Sequence, residues 1–240
     1  MMPVMAVDET TSAPRTARAA ARELLTNQIL ETARSHLAKQ GATELSLRAV
    51  ARDLGMASSA VYRYFPSRDA LLTALIVDAY NALGHAAENA DAAIGNRDDH
   101  LGRWRAIANA VRDWAIAHPH EYALIYGTPI PGYEAPQDTI DPASRVTLVL
   151  LGLLRDIPPP PGGLTVPISG ELAAQTQNVR DLSELDLPDD QILRGITAWV
   201  LIYGLVNFEL FGSFKNSFDN AGPLFAHQVD LMAAHMGLPV

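Results

Sequence analysis

The chain has 240 residues, 48% of them hydrophobic, enough to bury a sizeable core in one helical domain or in a small domain joined to a larger one. It has no cysteine, which removes disulfides, thiolate nucleophiles and cysteine-ligated metal sites and fits a reducing cytoplasm. The net charge of −9 is unevenly spread: through Arg68 nine Lys and Arg stand against six Asp and Glu, so a basic end of +3 precedes an acidic remainder of −12.

Residues 1–21 are rich in Ala, Thr, Ser and Arg with little apolar periodicity, and read as a mobile arm without a signal-peptide pattern. A first helix is expected over 22–40, where Leu25, Ile29, Ala33 and Leu37 recur every four residues and Gly41 supplies the C-terminal glycine. Ser46 is placed to cap a short second helix carrying Leu47, Val50, Ala51 and Leu54 at i, i+3, i+4, i+7 spacing. Gly55 interrupts it. A third helix over 58–64 is anchored by Val61 and Phe65, and Pro66 closes it before Ser67 caps the next.

From 68 to 93 the apolar residues again keep helical spacing, predicting a long, rigid fourth helix between two domains. Further helices are expected over 100–117, 120–127, 142–157, 188–214 and 220–236, with one more over 168–183. Prolines mark two loops, at 127–141 and 158–163. The most apolar stretch, 195–208, is shorter than the ~18 residues a membrane span needs, so the expectation is a soluble, cytoplasmic, all-α protein. The expected parts are an arm (1–21), a small three-helix domain (22–68) and a larger helical domain (69–240).

The DNA-binding expectation rests on three short helices, the last two joined by the tight turn Leu54-Gly55-Met56-Ala57. Such a helix-turn-helix must project its last helix into a groove about 12 Å wide, and Gly55 takes the positive φ that a bulkier residue resists. With Val61 and Phe65 turned inward, Ser58, Ser59, Tyr62, Arg63 and Tyr64 are left to face outward, a set of hydrogen-bonding side chains beside a cation. The arm's Arg15 and Arg18 are placed to follow a DNA backbone or enter a minor groove.

The run Ser46-Leu-Arg-Ala-Val-Ala-Arg-Asp-Leu-Gly-Met-Ala-Ser-Ser-Ala-Val-Tyr-Arg-Tyr-Phe65, followed by Pro66-Ser67-Arg68-Asp69-Ala70-Leu71-Leu72, resembles the signature of the TetR family of transcription regulators. The resemblance implies that Tyr62, Arg63 and Tyr64 contact phosphates or base edges, that Ser46 and Arg48 hold the backbone, and that Arg68 takes the family's usual lysine position near a phosphate. Ala57 departs from the family's common Ser or Thr cap, which shifts the capping role to Ser58. Serines read bases weakly, so specificity would rest on few contacts and on DNA shape.

Residues from Ala198 to Phe211 resemble a C-terminal subfamily with a Trp, His, Gly pattern, with Trp199 and Gly204 in place and Tyr203 standing where the His would be. The family implies a homodimer through the last two helices, two recognition helices one DNA turn apart, and a small effector whose binding releases a repressor from an inverted-repeat operator. An aromatic stripe is the candidate ligand lining: Trp104, Ile107, Trp114, Tyr122, Tyr126, Trp199, Tyr203 and Phe208, implying an apolar or aromatic effector. No metal or cofactor is expected; His118 and His120 flank Pro119 and cannot share one helical face. A non-specific architectural DNA-binding protein and a helical enzyme are the alternatives. The second finds no phosphate loop, His-x-x-x-His pair or nucleophile elbow.

Overall fold

The computed structural model describes residues 17–157 and 166–239. Residues 1–16 of the expected arm, with Arg15, and the loop expected over 158–163 lie outside the described residues. Among the described residues ten α-helices follow in order: α1 (Ala17–Gln40), α2 (Leu47–Asp53), α3 (Ser58–Val61), α4 (Arg68–Ala93), α5 (His100–Ala117), α6 (Pro119–Tyr126), α7 (Ile140–Asp156), α8 (Gly170–Ser183), α9 (Asp189–Leu210) and α10 (Gly222–Met236). No strand occurs among the described residues.

Several helix ends carry a visible physical cause. Gly41 ends α1 at φ 77°, and the Ser67 hydroxyl accepts the Ala70 N–H at 3.0 Å to cap α4. Asp99 and Ser169 cap α5 and α8 in the same way. Two boundaries move by more than a turn of helix, and the others by three residues or fewer. Helix α1 begins at Ala17, so the last five residues of the expected arm are helical and exposed Arg18 rides on a helix. Helix α9 stops at Leu210, four residues short of expectation, because Gly212 turns the chain at φ 80°.

Two cores organise the chain. The first is built from Ile29, Leu30 and Ala33 of α1, Val50 and Ala51 of α2, Val61 and Phe65 around α3, and Leu71, Leu72 and Leu75 of α4. The second collects α5, α7, α9 and α10 around the later part of α4. The expected boundary after residue 68 therefore severs α4 from a core that its first two turns complete. An Arg34 guanidinium on α1 ties the two parts together, reaching Asp78 of α4 at 2.8 Å and Glu121 of α6 at 3.4 Å.

Helices α4 and α9 are both long and apolar enough to cross a membrane by length and composition, which corrects only the apolar length read over 195–208. In α4 those apolar residues go into the two cores. In α9 they divide between the second core and an outward stripe, where Val200, Phe208 and, just past the helix end, Phe211 are more than half exposed.

Candidate DNA interface and cavity

Helix α3 is held from below. Val61 is fully buried and Phe65 is 7% exposed, and Gly55 turns the chain into the helix at φ 64°, where an L side chain would be strained. The turn continues past Val61 through Tyr62 N–H to Ser58 carbonyl (3.0 Å) and Phe65 N–H to Val61 carbonyl (3.0 Å). This leaves Ser59, Tyr62 and Arg63 exposed at i, i+3 and i+4, one helical face. Arg48 of α2 is exposed beside the same domain.

Two expected contacts and two expected caps come out differently. Tyr64 is half-buried against the first core with the Arg22 guanidinium 5.7 Å over its ring, because it lies three residues after Val61 and shares that inward face. Arg68 donates to the Ala42 and Thr43 carbonyls at 2.8 and 3.2 Å, so it braces the turn between α1 and α2 rather than reaching outward. Ser46 holds the N-cap position of α2 with an extended backbone but makes no cap hydrogen bond. Ser58 does not cap α3 either; Ala57 occupies that position and the Ser58 hydroxyl stays uncommitted, half-buried at the helix start. Arg52, with a side chain 78% exposed, is a further candidate that sequence reasoning passed over. Its spacing of four from Arg48 was the available signal.

In the second part of the molecule, the expected aromatic lining is mostly core. Trp104 and Ile107 are fully buried, and the Trp104 indole N–H donates to the Val229 carbonyl at 2.7 Å, pinning α5 to α10. Trp114 stacks on His118 at 5.0 Å. Tyr126 stands at the centre of a ring cluster, 5.2 Å from Tyr122 and 4.3 Å from Tyr203, with Trp199 5.5 Å beyond Tyr203. Tyr122 is wholly buried and its hydroxyl has no hydrogen-bond partner; the Tyr203 hydroxyl faces that of Tyr126 without a well-formed hydrogen bond. Burial pushes all three phenols well above their ordinary range, so they stay neutral.

An apolar cavity of about 660 Å³ opens on the other side of α6, and none of the eight expected residues lines it. Its walls come from α4, α6, the α6–α7 segment, α7, α8 and Ile196 of α9, and among the described residues no charged side chain lines it. Large rings fill space; the cavity lies where Ala143, Ser144 and Thr147 leave it. Ala143, Thr147 and Leu151 of α7 recur every four residues, a small-to-large stripe that was the missed signal. Tyr80 joins the two regions, lining the cavity while its ring meets Tyr126 edge-on at 5.9 Å. Tyr126 and Phe208 border a smaller space of about 500 Å³ beside Asn207.

Comparison with known proteins identifies the family and the fold. The family described as "Bacterial regulatory proteins, tetR family" matches residues 29–75, and "Tetracyclin repressor-like, C-terminal domain" matches residues 104–232, more than half of the chain. The HTH-type transcriptional regulators Rv1816 of Mycobacterium tuberculosis and Mb1846 of Mycobacterium bovis are 36% identical to the chain, covering 89% of it and 93% of their own length. Among solved structures, the regulatory protein SCO4313 aligns with a TM-score of 0.76 at 31% identity, over 92% of this chain and all of that one. A tetR-family regulatory protein from Rhodococcus RHA1 shares the fold at 15% identity and TM-score 0.59, covering 90% of this chain and 98% of that one.

Proposed function

Because the chain belongs to the TetR family of helix-turn-helix transcription regulators, we propose that it is a homodimeric repressor that leaves an inverted-repeat operator when an uncharged, largely apolar small molecule enters the 660 Å³ cavity. The observation that carries this reading is the pairing of an uncommitted polar face, Ser59, Tyr62 and Arg63, with a cavity that has no charge on its walls. An ionised ligand would lose its hydration there without gaining a counter-charge, whereas a neutral one buries apolar surface at little cost. The hydroxyls of Thr147, Ser144 and Thr139 provide polar points for orientation.

A dimer is supported by the outward stripe of α9, where Val200, Gly204, Phe208 and Phe211 recur at helical spacing and an added Cβ on Gly204 would meet nothing within 4 Å. Leu231 of α10 is 52% exposed beside it. Two copies joined there would present two recognition helices to successive major grooves about 34 Å apart. Such a protein works in the cytoplasm, where its operator is.

Selection of bound duplexes from a random library at near-physiological salt tests the reading. An enriched inverted repeat supports a dimeric, sequence-specific regulator. Binding without enrichment, with a steep salt dependence, identifies an architectural protein instead. For the cavity, Thr147→Asp places a charge on the wall and is expected to abolish binding of a neutral apolar dye while leaving the selected duplex bound.

A further inference from the structure

We propose that the segment 127–136 between α6 and α7 is the mechanical link between the cavity and the DNA-binding domain, with Ile130 and Tyr133 seated in both at once. The proposal rests on the cavity reading above and names how that site is coupled to DNA. Ile130, Tyr133 and Leu124 of α6 all line the cavity, and the same three pack against the first core, the one that carries α2 and α3. A single layer of side chains is therefore the floor of one compartment and the roof of the other.

The layer is fastened at identifiable points. The Tyr133 hydroxyl lies 3.0 Å from the Thr73 hydroxyl on α4, between Leu72 and Leu75 of the first core. Ile76 and Tyr80, three and seven residues further along α4, line the cavity, and the Tyr80 hydroxyl donates to the Ile125 carbonyl at 3.3 Å. On its other side the segment lies across a cleft from Gly41, Ala42 and Thr43. Ala42 and Thr43 are the residues whose carbonyls Arg68 braces, four and three positions before Ser46.

The segment is built to move as a piece. Pro129, Pro131 and Pro136 fix their own φ, and Gly132 turns the chain between them at φ 74°. Packed side chains resist compression, so a ligand that needs more room than the cavity offers displaces this wall rather than α4, whose later turns are locked by α5 and α7. The displaced wall withdraws Ile130 and Tyr133 from the first core and alters the seat of α1 and α2. The Arg34, Asp78 and Glu121 ion pairs hold α1 to α4 and α6 away from the segment and act as the pivot.

Linkage supplies the test. Full-length wild-type, Thr73→Val and Ile130→Ala proteins are titrated with Nile red, a neutral apolar dye, alone and when saturated with the duplex enriched by selection. In the wild type, bound DNA is expected to weaken the dye about five-fold or more, the usual lower range of coupling between sites. Thr73 neither lines the cavity nor faces the recognition surface, and Thr73→Val keeps its shape while removing the hydroxyl. The dye should bind the free Thr73→Val protein as it binds wild type, and the weakening by DNA should fall toward none. Ile130→Ala lowers the same ratio whatever it does to dye affinity itself, and retained DNA binding in both variants reports that they fold. A wild-type ratio of one, or a ratio kept intact in both variants, overturns the link while leaving the cavity standing. Absence of saturable dye binding, or dye binding indifferent to Thr147→Asp, overturns the cavity reading and the link with it.

Discussion

Tyr62 on the recognition helix and Tyr122 in the ring cluster are the same residue type at the same kind of helical spacing, yet one is 41% exposed and the other fully buried. What separates them is the opposite face of each helix. Around α3 a compact set, Val61 and Phe65, already fills the small core, so the tyrosine beside them has nowhere inward to go. On α6 the neighbouring helices α4 and α5 pack alongside, and the Tyr203 ring of α9 stacks 6.5 Å from that of Tyr122. A polar aromatic residue is thus read correctly only when the capacity of the adjoining core is known, and a three-helix domain has too little capacity to hide it.

The contrast is broken most severely from the buried side. Trp104→Ala is expected to cost about 3–5 kcal/mol in a denaturant titration, as befits an indole with no exposure; a loss confined to ligand binding would instead make Trp104 a wall of the site. Arg103→Met should cost less, about 1–3 kcal/mol near neutral pH, because it takes from Asp91 and Asp156 an almost fully buried guanidinium 2.8 Å from each and leaves them only the more exposed Arg97 and Arg155. Burial works against the charge of both carboxyls, but the arginine hydrogen bonds outweigh it and hold them below the ordinary range. Their contribution is therefore complete above the unfolded carboxylate pKa of about 4 and is lost as pH falls through the lowered folded values. The penalty of Arg103→Met should shrink in the same acid window; a penalty constant down to that range would show that packing, not charge, was removed.

Gly55→Val tests the other side at its hinge. The positive φ makes any β-branched residue strained by about 1–2 kcal/mol, and DNA binding should fall more than stability because the strain tilts α3. The mildest pair sharpens the comparison most. Tyr62→Phe is expected to leave stability within about 0.5 kcal/mol while weakening binding to the selected duplex by about 0.5–1.5 kcal/mol, one hydrogen bond. Tyr122→Phe removes a buried hydroxyl that has no partner and should raise stability by about 1 kcal/mol without touching DNA affinity. If the two substitutions behaved alike, the distinction between the faces would fail.

The helix-turn-helix was legible because its requirements are local. Gly55, the anchors Val61 and Phe65, and the capping Ser67 lie within 13 consecutive positions, and helical periodicity alone sets which side chains share a face. Tyr64 and Arg68 were misread where that periodicity meets tertiary packing. Tyr64 falls on the inward face just past the end of α3, and the partners of Arg68 are 25 and 26 residues away in sequence. The cavity was not legible at all from its most visible aromatic residues. Its walls are drawn from six separate segments, and an empty space is defined by what neighbouring side chains fail to fill, a property no single helix records.

By itself the sequence determined the all-helical class, nearly every helix, the turn at Gly55 and the family, since each follows from spacing within one short stretch of chain. Only the tertiary structure decided that α4 serves two cores, that most of the aromatic stripe is packing, and that the segment 127–136 sits between cavity and DNA-binding domain. Those outcomes depend on which distant surfaces meet, and contact between segments far apart in sequence is governed by volume and shape rather than by pattern.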